Sequence, residues 1–213
     1  MSKVDVVFLW AEGILFSPVD KLVLSAMDKC TGQKPNLFQN PGYAFQKEQL
    51  ALGRVSGREF CEAILRMFEL QAPVETFEQG IINEIAEAEG VLDSLHAIHP
   101  HIQRWLVVDF PRAWFENAPV GKSAATRMEK EKILFTPELG LDTFYPDVFS
   151  VLSKAAEAEQ EFCLILDANM KRSVLAVNSR MPSAIILNLA RLQREFKMRK
   201  LVNEEYIMHQ RPL

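Results

Sequence analysis

The chain has 213 residues, 48% hydrophobic and 24% charged, which fits one domain, or one domain with an inserted subdomain, able to bury a full core. A net charge of -4 and an isoelectric point near 5.7 give no general electrostatic reason to bind nucleic acid. No apolar run approaches the roughly 20 residues that span a bilayer. Cys30, Cys61 and Cys163 lack CxxC spacing and read as free thiols of a reducing cytoplasm rather than disulfides or zinc ligands. The N-terminus does not read as a secretory signal, so a cytoplasmic location is expected.

Residues 4–15 open with a β-branched and aromatic run, as a buried strand does, and hand over to a loop at Ala11, Glu12 and Gly13. In a parallel α/β sheet ligands bind at the carboxyl ends of strands, which puts Trp10 and Glu12 where a site is expected. After a loop at 16–19, helical spacing runs from 19 to 29 with Val19, Leu22, Val23 and Met27 on one face. Residues 31–43, rich in Gly, Pro, Asn and Gln, read as a loop. Ser56 and Glu59 form a capping-box pattern that opens a helix over 58–69, with Phe60, Ile64, Leu65 and Phe68 at helical spacing. Pro73 opens a further segment in which Phe77, Ile81, Ile82 and Ile85 repeat the pattern. Residues 17–88 therefore read as an α-helical insert.

A short helix is expected over 91–98 and a second strand over 105–108, ending at Asp109-Phe110-Pro111. A third strand follows at 132–135, a helix at 147–157, and a fourth strand at 162–166 that ends at Asp167. A helix at 171–178, a fifth strand at 184–187, a charged amphipathic helix at 189–201 and a short tail complete the chain. Strands alternating with helices predict a Rossmann-like parallel sheet sandwiched by helices.

Four segments in this order resemble the motifs of the haloacid dehalogenase-like (HAD-like) hydrolases. Residues 6–15 resemble an apolar strand followed by D-x-D-G-(T/V)-L. Residues 105–111 are similar to the strand that ends in Ser or Thr. Residues 139–149 resemble the glycine, Lys-Pro and helix-start segment. Residues 163–181 resemble an apolar strand, two acids, a helix and a Gly-Met-like ending. The resemblance implies a HAD-like core over 1–16 and 89–213, with 17–88 as a helical cap above the active site. It also implies an aspartate that attacks phosphorus and a second one, two residues on, as acid/base.

This chain departs from that pattern at most of the reacting positions. Trp10 stands at the nucleophile, and an indole has no nucleophilic oxygen. Glu12 stands at the acid/base. Asp109 replaces the hydroxyl residue that would bond a phosphoryl oxygen, and a carboxylate there repels a phosphate dianion. The lysine position is Thr143, the two magnesium-holding acids are Asp167 and Ala168, and a late glycine aligns with Arg180. Loss of the covalent nucleophile alone removes many orders of magnitude in rate. The leading expectation is a non-catalytic pseudo-hydrolase with a binding or regulatory role. It would bind a small ligand in the cap–core cleft or a protein partner on its helical faces. The alternative is a divergent hydrolase or phosphatase in which Glu12 activates water against a small phosphorylated or other ester substrate. A homo-oligomeric structural protein is a third reading.

Glu12, Asp109 and Asp167 lie at strand ends that should be neighbours and could together hold Mg²⁺ or Ca²⁺. The competing reading is a cofactor-free protein in which they are solvated loop acids, or Asp109 and Asp167 cap the helices that follow. His96, His99 and His101 are spaced like metal ligands, but Pro100 breaks a common face and an exposed loop is expected. Gly121-Lys122-Ser123 resembles the end of a phosphate loop without its first glycine or preceding strand, so 117–131 reads as a flexible polar connection. Arg191, Arg194, Lys197, Arg199 and Lys200 read as a solvated basic helix face. Phe38, Tyr43, Phe45, Trp114 and Phe115 either line a cap–core pocket or fill the core.

Overall fold

The computed structural model describes residues 3–202. Five parallel strands, β1 Val6–Trp10, β2 Gln103–Val108, β3 Ile133–Phe135, β4 Cys163–Asp167 and β5 Ser183–Ile185, form one sheet in the order β3-β2-β1-β4-β5. β1 lies at the centre, with Phe8 beside both Trp105 and Ile165. Every residue of β1 is buried, which explains a continuous apolar run in place of strict alternation. Alternation persists as a division between the two sheet faces. Val7 and Leu9 join one hydrophobic cluster, whereas Val6, Phe8 and Trp10 join a second.

The first cluster receives the long helical segment. Helices α1 Val19–Thr31, α2 Pro41–Ala51, α3 Gly57–Met67 and α4 Val74–Glu84 separate β1 from the rest of the sheet, followed by α5 Val91–His96. Met27, Phe60, Ile64, Phe77 and Ile81 share one buried cluster with Leu9 and Leu106, so the helices of the insert and one sheet face are packed as a continuous interior. The capping box of α3 forms as expected, with Ser56 and Glu59 bonding each other's backbone N–H. The second cluster is covered by α9 Asp147–Ala155 and α10 Met170–Asn178, through Val148, Phe149, Leu152 and Ala176. α11 Leu189–Met198 places Leu192 and Phe196 on the first face; the tail expected beyond it lies outside the described residues.

Two expectations are corrected. Residues 31–43 are not all loop: Asn40 caps α2, its side chain accepting from Gly42 N, and Pro41 occupies the first helical position, which its fixed φ suits. Residues 117–131 are not an open connection either. α6 Arg112–Asn117 leads directly into α7 Pro119–Ala124, whose Val120, Gly121 and Ala124 are buried. Gly121 sits so close to Phe115 that an added Cβ would lie 1.9 Å from its carbonyl oxygen. The glycine of the Gly-Lys-Ser sequence therefore serves helix packing, not phosphate binding. Short α8 Thr136–Leu139 follows β3.

Among the described residues no helix is long and apolar enough to cross a membrane. The three cysteines are free thiols, and burial beside Asp5 pushes the Cys163 thiol up to about 11.

Candidate functional site

The carboxyl ends of β1, β2 and β4 bring Trp10, Asp109 and Asp167 together. A parallel sheet with β1 between its two partners dictates this meeting. Trp10 is fully buried, and its indole Nε1 donates to Asp109 Oδ2 at 2.7 Å. Asp109 Oδ1 accepts from the buried Thr136 hydroxyl at 3.1 Å. Asp167 is fully buried at the end of β4.

The residue that joins these groups is Arg172, in the first turn of α10. Only 4% of it is exposed. Its Nε and one terminal nitrogen bond both oxygens of Asp167. The other terminal nitrogen donates to Asp109 Oδ2 at 2.7 Å and reaches Thr143 Oγ1 at 3.4 Å. The guanidinium lies 4.1 Å from the centre of the Trp10 ring and 5.5 Å from that of Phe144, over aromatic faces that favour a cation. Burial alone would lower the Arg172 pKa, but Asp109 and Asp167 outweigh it and hold it raised. The arrangement is a fully partnered ion cluster in the interior. A buried charge is tolerated only with this degree of pairing and hydrogen bonding.

Glu12 takes a different environment. Gly13 turns the chain after it at φ +82°, and an added Cβ there would lie 2.9 Å from Ala168 Cβ. This turn reverses the chain, so that Gly13 N bonds Phe16 O at 2.8 Å. Glu12 Oε1 accepts from Val19 N at 2.9 Å and so satisfies an otherwise free amide at the start of α1. Burial raises the Glu12 pKa, and the neighbouring Asp109 carboxylate raises it further, against the lowering effects of Lys47, Val19 N–H and Arg172. Glu12 therefore keeps its proton to higher pH than an ordinary glutamate.

A cleft of about 300 Å³ opens on this arrangement, lined by Glu12, Asp20, Lys47, Asp109, Thr143 and Arg172 among others. Asp20, at the start of α1, accepts from Tyr43 Oη at 2.7 Å and from Lys47 Nζ at 2.9 Å at both its oxygens. A wider cleft of about 700 Å³ shares Asp20, Lys47, Thr143 and Phe144 with the first and adds Phe38, Tyr43, Tyr145 and Lys171. Phe38 and Tyr145 are exposed, at 76% and 64%. Trp10 is buried beneath Arg172, so the indole underlies the cleft without forming its wall.

Of the sequence candidates, Trp10, Asp109, Thr143 and Asp167 meet at Arg172, and Glu12 stands beside them on the cleft. Asp109 and Asp167 are neither solvated nor caps of their following helices: α10 is capped by Asn169, whose side chain accepts from Arg172 N. Arg172 was missed by the motif comparison. Its signal is helical spacing, since Arg172 lies four residues before buried Ala176 on the inward face of α10.

The other candidates disperse. His99 and His101 stack with ring centres 5.4 Å apart, and among the described residues no group of three or more His, Cys, Asp or Glu side chains is arranged to hold a metal. Arg191 and Arg199 both pair with Glu195 of their own helix. Trp114 and Phe115 are core residues, whereas Phe45 is exposed.

No protein-family model and no curated protein matches the chain. Solved structures do. A HAD family enzyme from Bacteroides thetaiotaomicron, solved as a magnesium complex, superposes with a TM-score of 0.65 at 13% identity, over 87% of this chain and 94% of its own. The L-2-haloacid dehalogenase of Xanthobacter autotrophicus with chloropropionic acid covalently bound gives 0.65 at 13% identity, over 97% and 87%. A dehalogenase solved with an intermediate complex gives 0.67 at 10% identity, over 96% and 100%. The residues here do not fit a magnesium ion such as the Bacteroides enzyme was solved with. Both Asp167 oxygens and one of Asp109 already bond a guanidinium, and a divalent cation set against it would meet strong repulsion. The chain has a HAD-like fold, a parallel Rossmann-type α/β core flanked by helices.

Proposed function

We propose that this chain binds a small ligand in the cleft between the β1, β2 and β4 ends and α2, without forming an aspartyl intermediate. The observation that carries the reading is the Trp10–Asp109–Arg172 cluster. Where a carboxylate nucleophile is expected there is a buried indole bonded to Asp109, and the remaining acids are bound by an arginine. A phosphate dianion entering the cleft would find no free cation, since Lys47 and Arg172 are already paired with Asp20, Asp109 and Asp167. Neutral, cationic or weakly anionic ligands suit the cleft better than a phosphate ester. Tyr43 and the exposed Phe38 and Tyr145 add aromatic surface for an apolar part of the ligand.

A second reading, a divergent hydrolase, is supported by Glu12. This carboxyl lines the cleft and has its proton affinity raised by burial and by Asp109, the direction of shift that suits a carboxyl to general acid or base work. That dehalogenases and other HAD family enzymes share the fold also favours it. The experiment is a hydrolysis panel of p-nitrophenyl phosphate, other phosphate esters and carboxylic esters, run on wild type and Glu12→Gln, beside a thermal-shift screen of small metabolites. The binding reading expects no turnover above buffer and a stabilising hit whose affinity Lys47→Met changes, since Lys47 lines the cleft. Turnover that Glu12→Gln abolishes would replace it with the hydrolase reading.

A further inference from the structure

The misfit between the site and a divalent metal points to a replacement. We propose that Arg172 is the site's own cation, tethered to α10 in the place a divalent ion would take between Asp109 and Asp167, and that the chain works without metal. Three observations carry this, none of which concerns the cleft's ligand.

The first is saturation. Nε and both terminal nitrogens of Arg172 are bonded to the two acids, with both Asp167 oxygens and Asp109 Oδ2 as acceptors. The second is that Arg172 breaks a local rule. It stands in the first turn of α10, a turn with no acidic residue, where the helix dipole disfavours a cation. A buried arginine at a positive helix end persists only where neighbouring charge over-compensates, and Asp109 and Asp167 supply that charge. The third is enclosure. Trp10 at 4.1 Å and Phe144 at 5.5 Å flank the guanidinium. The residue at the usual nucleophile position has thus become a platform for this cation. A planar, weakly hydrated guanidinium suits such a slot, whereas a metal ion needs oxygen ligands that an indole cannot give.

The same geometry shows what removal does. Without the guanidinium, the Asp109 carboxylate keeps Trp10 Nε1 and the Thr136 hydroxyl, and that of Asp167 keeps only Asn169 N. This leaves two carboxylates with free lone pairs and no counter-charge at neighbouring strand ends, with Glu12 nearby. That is a donor set for a hard divalent cation.

The test is Mn²⁺ binding followed by electron paramagnetic resonance on the full chain, which needs neither ligand nor turnover and so is independent of the reading of the cleft. Wild type is expected to bind less than about a tenth of an equivalent at millimolar Mn²⁺ and to keep its melting temperature in EDTA. Arg172→Gln is expected to bind one Mn²⁺ per chain, and adding Asp167→Asn to it abolishes that binding. One Mn²⁺ on wild type that Asp167→Asn removes overturns the proposal, as does a folded Arg172→Gln that binds none. Should Arg172→Gln unfold, its refolding in Mg²⁺ supports the proposal. Should it stay unfolded, Arg172→Lys decides: it keeps the charge and is expected to fold and exclude Mn²⁺, and Mn²⁺ binding by it overturns the proposal.

Discussion

Two acids placed by the same rule, at the carboxyl ends of adjacent parallel strands, have opposite fates in this molecule. Asp167 is fully buried and bonded through both oxygens to Arg172. Glu12, a few residues beyond β1, keeps one oxygen on an amide of α1 and lines a cleft. The inner half of the site is buried and hydrogen-bonded, with two carboxylates about one guanidinium, and the outer half is open, with an acid whose proton is held more tightly than usual. Position on the sheet brought both acids to the same end of the fold. What separates them is the partner each has: an arginine for Asp167, a backbone N–H for Glu12.

The largest effect that tests this contrast falls on the inner half. Arg172→Ala would leave Asp109 and Asp167 buried without their counter-charge, and it is expected to destabilise the fold by about 3–5 kcal/mol. Urea unfolding measures this directly, and a loss under about 1 kcal/mol would show that water screens the acids and that the inner half is not closed. Trp10→Phe is smaller. It keeps an aromatic face under Arg172 but takes the Nε1 donor from Asp109, which retains Thr136 and Arg172. A cost of about 1–3 kcal/mol is expected from the lost hydrogen bond to a charged group. Equal stability of this variant and wild type would reduce the indole to packing alone.

The parallel α/β sheet and the meeting of Asp109 and Asp167 at neighbouring strand ends were legible in the sequence, because apolar runs ending in small or acidic residues mark both strands and their ends. The same reasoning placed Glu12 on a loop, where it is found. What the acids do there was not legible, since that depends on a residue of α10 whose charge is outwardly ordinary. Arg172 reads as a surface arginine until the register of α10 turns it inward. The Gly121 region misled for a related reason: glycine, lysine and serine suggest an open loop, yet the packing of α7 against Phe115 decides its shape. The departures from the HAD-like pattern are visible residue by residue in the chain, whereas the bonds of Arg172 to Asp109 and Asp167 exist only in the folded molecule.

For the outer half, pH is the probe. The raised Glu12 pKa means the native state holds a proton that the unfolded chain gives up at about 4.3. The stability from this proton is fully present below that unfolded value and is lost as pH rises through the native value. Glu12→Gln keeps a carbonyl oxygen for Val19 N–H and carries no ionisable proton, so it escapes the loss. The melting temperature of Glu12→Gln minus that of wild type is therefore expected to grow as pH rises above the unfolded carboxyl value and to level off once Glu12 is ionised in the native state as well. A difference that stays constant would mean Glu12 is as well solvated as an ordinary surface acid.

The smallest effect belongs to the ion pair on the cleft wall. Lys47 bonds both oxygens of Asp20 but its side chain is 35% exposed, so solvent screens the pair. Lys47→Met should cost no more than about 1 kcal/mol. Asp20 would still accept from Tyr43, whose own pKa is held well above the ordinary tyrosine value by burial and then by Asp20. Lys47 also lowers the Glu12 pKa, so its removal has a second, separable consequence. In Lys47→Met the rise in stability conferred by Glu12→Gln should extend to higher pH than in wild type. A double-mutant comparison of melting temperatures across pH measures this, and additivity at every pH would show that Lys47 and Glu12 do not share the cleft electrostatically.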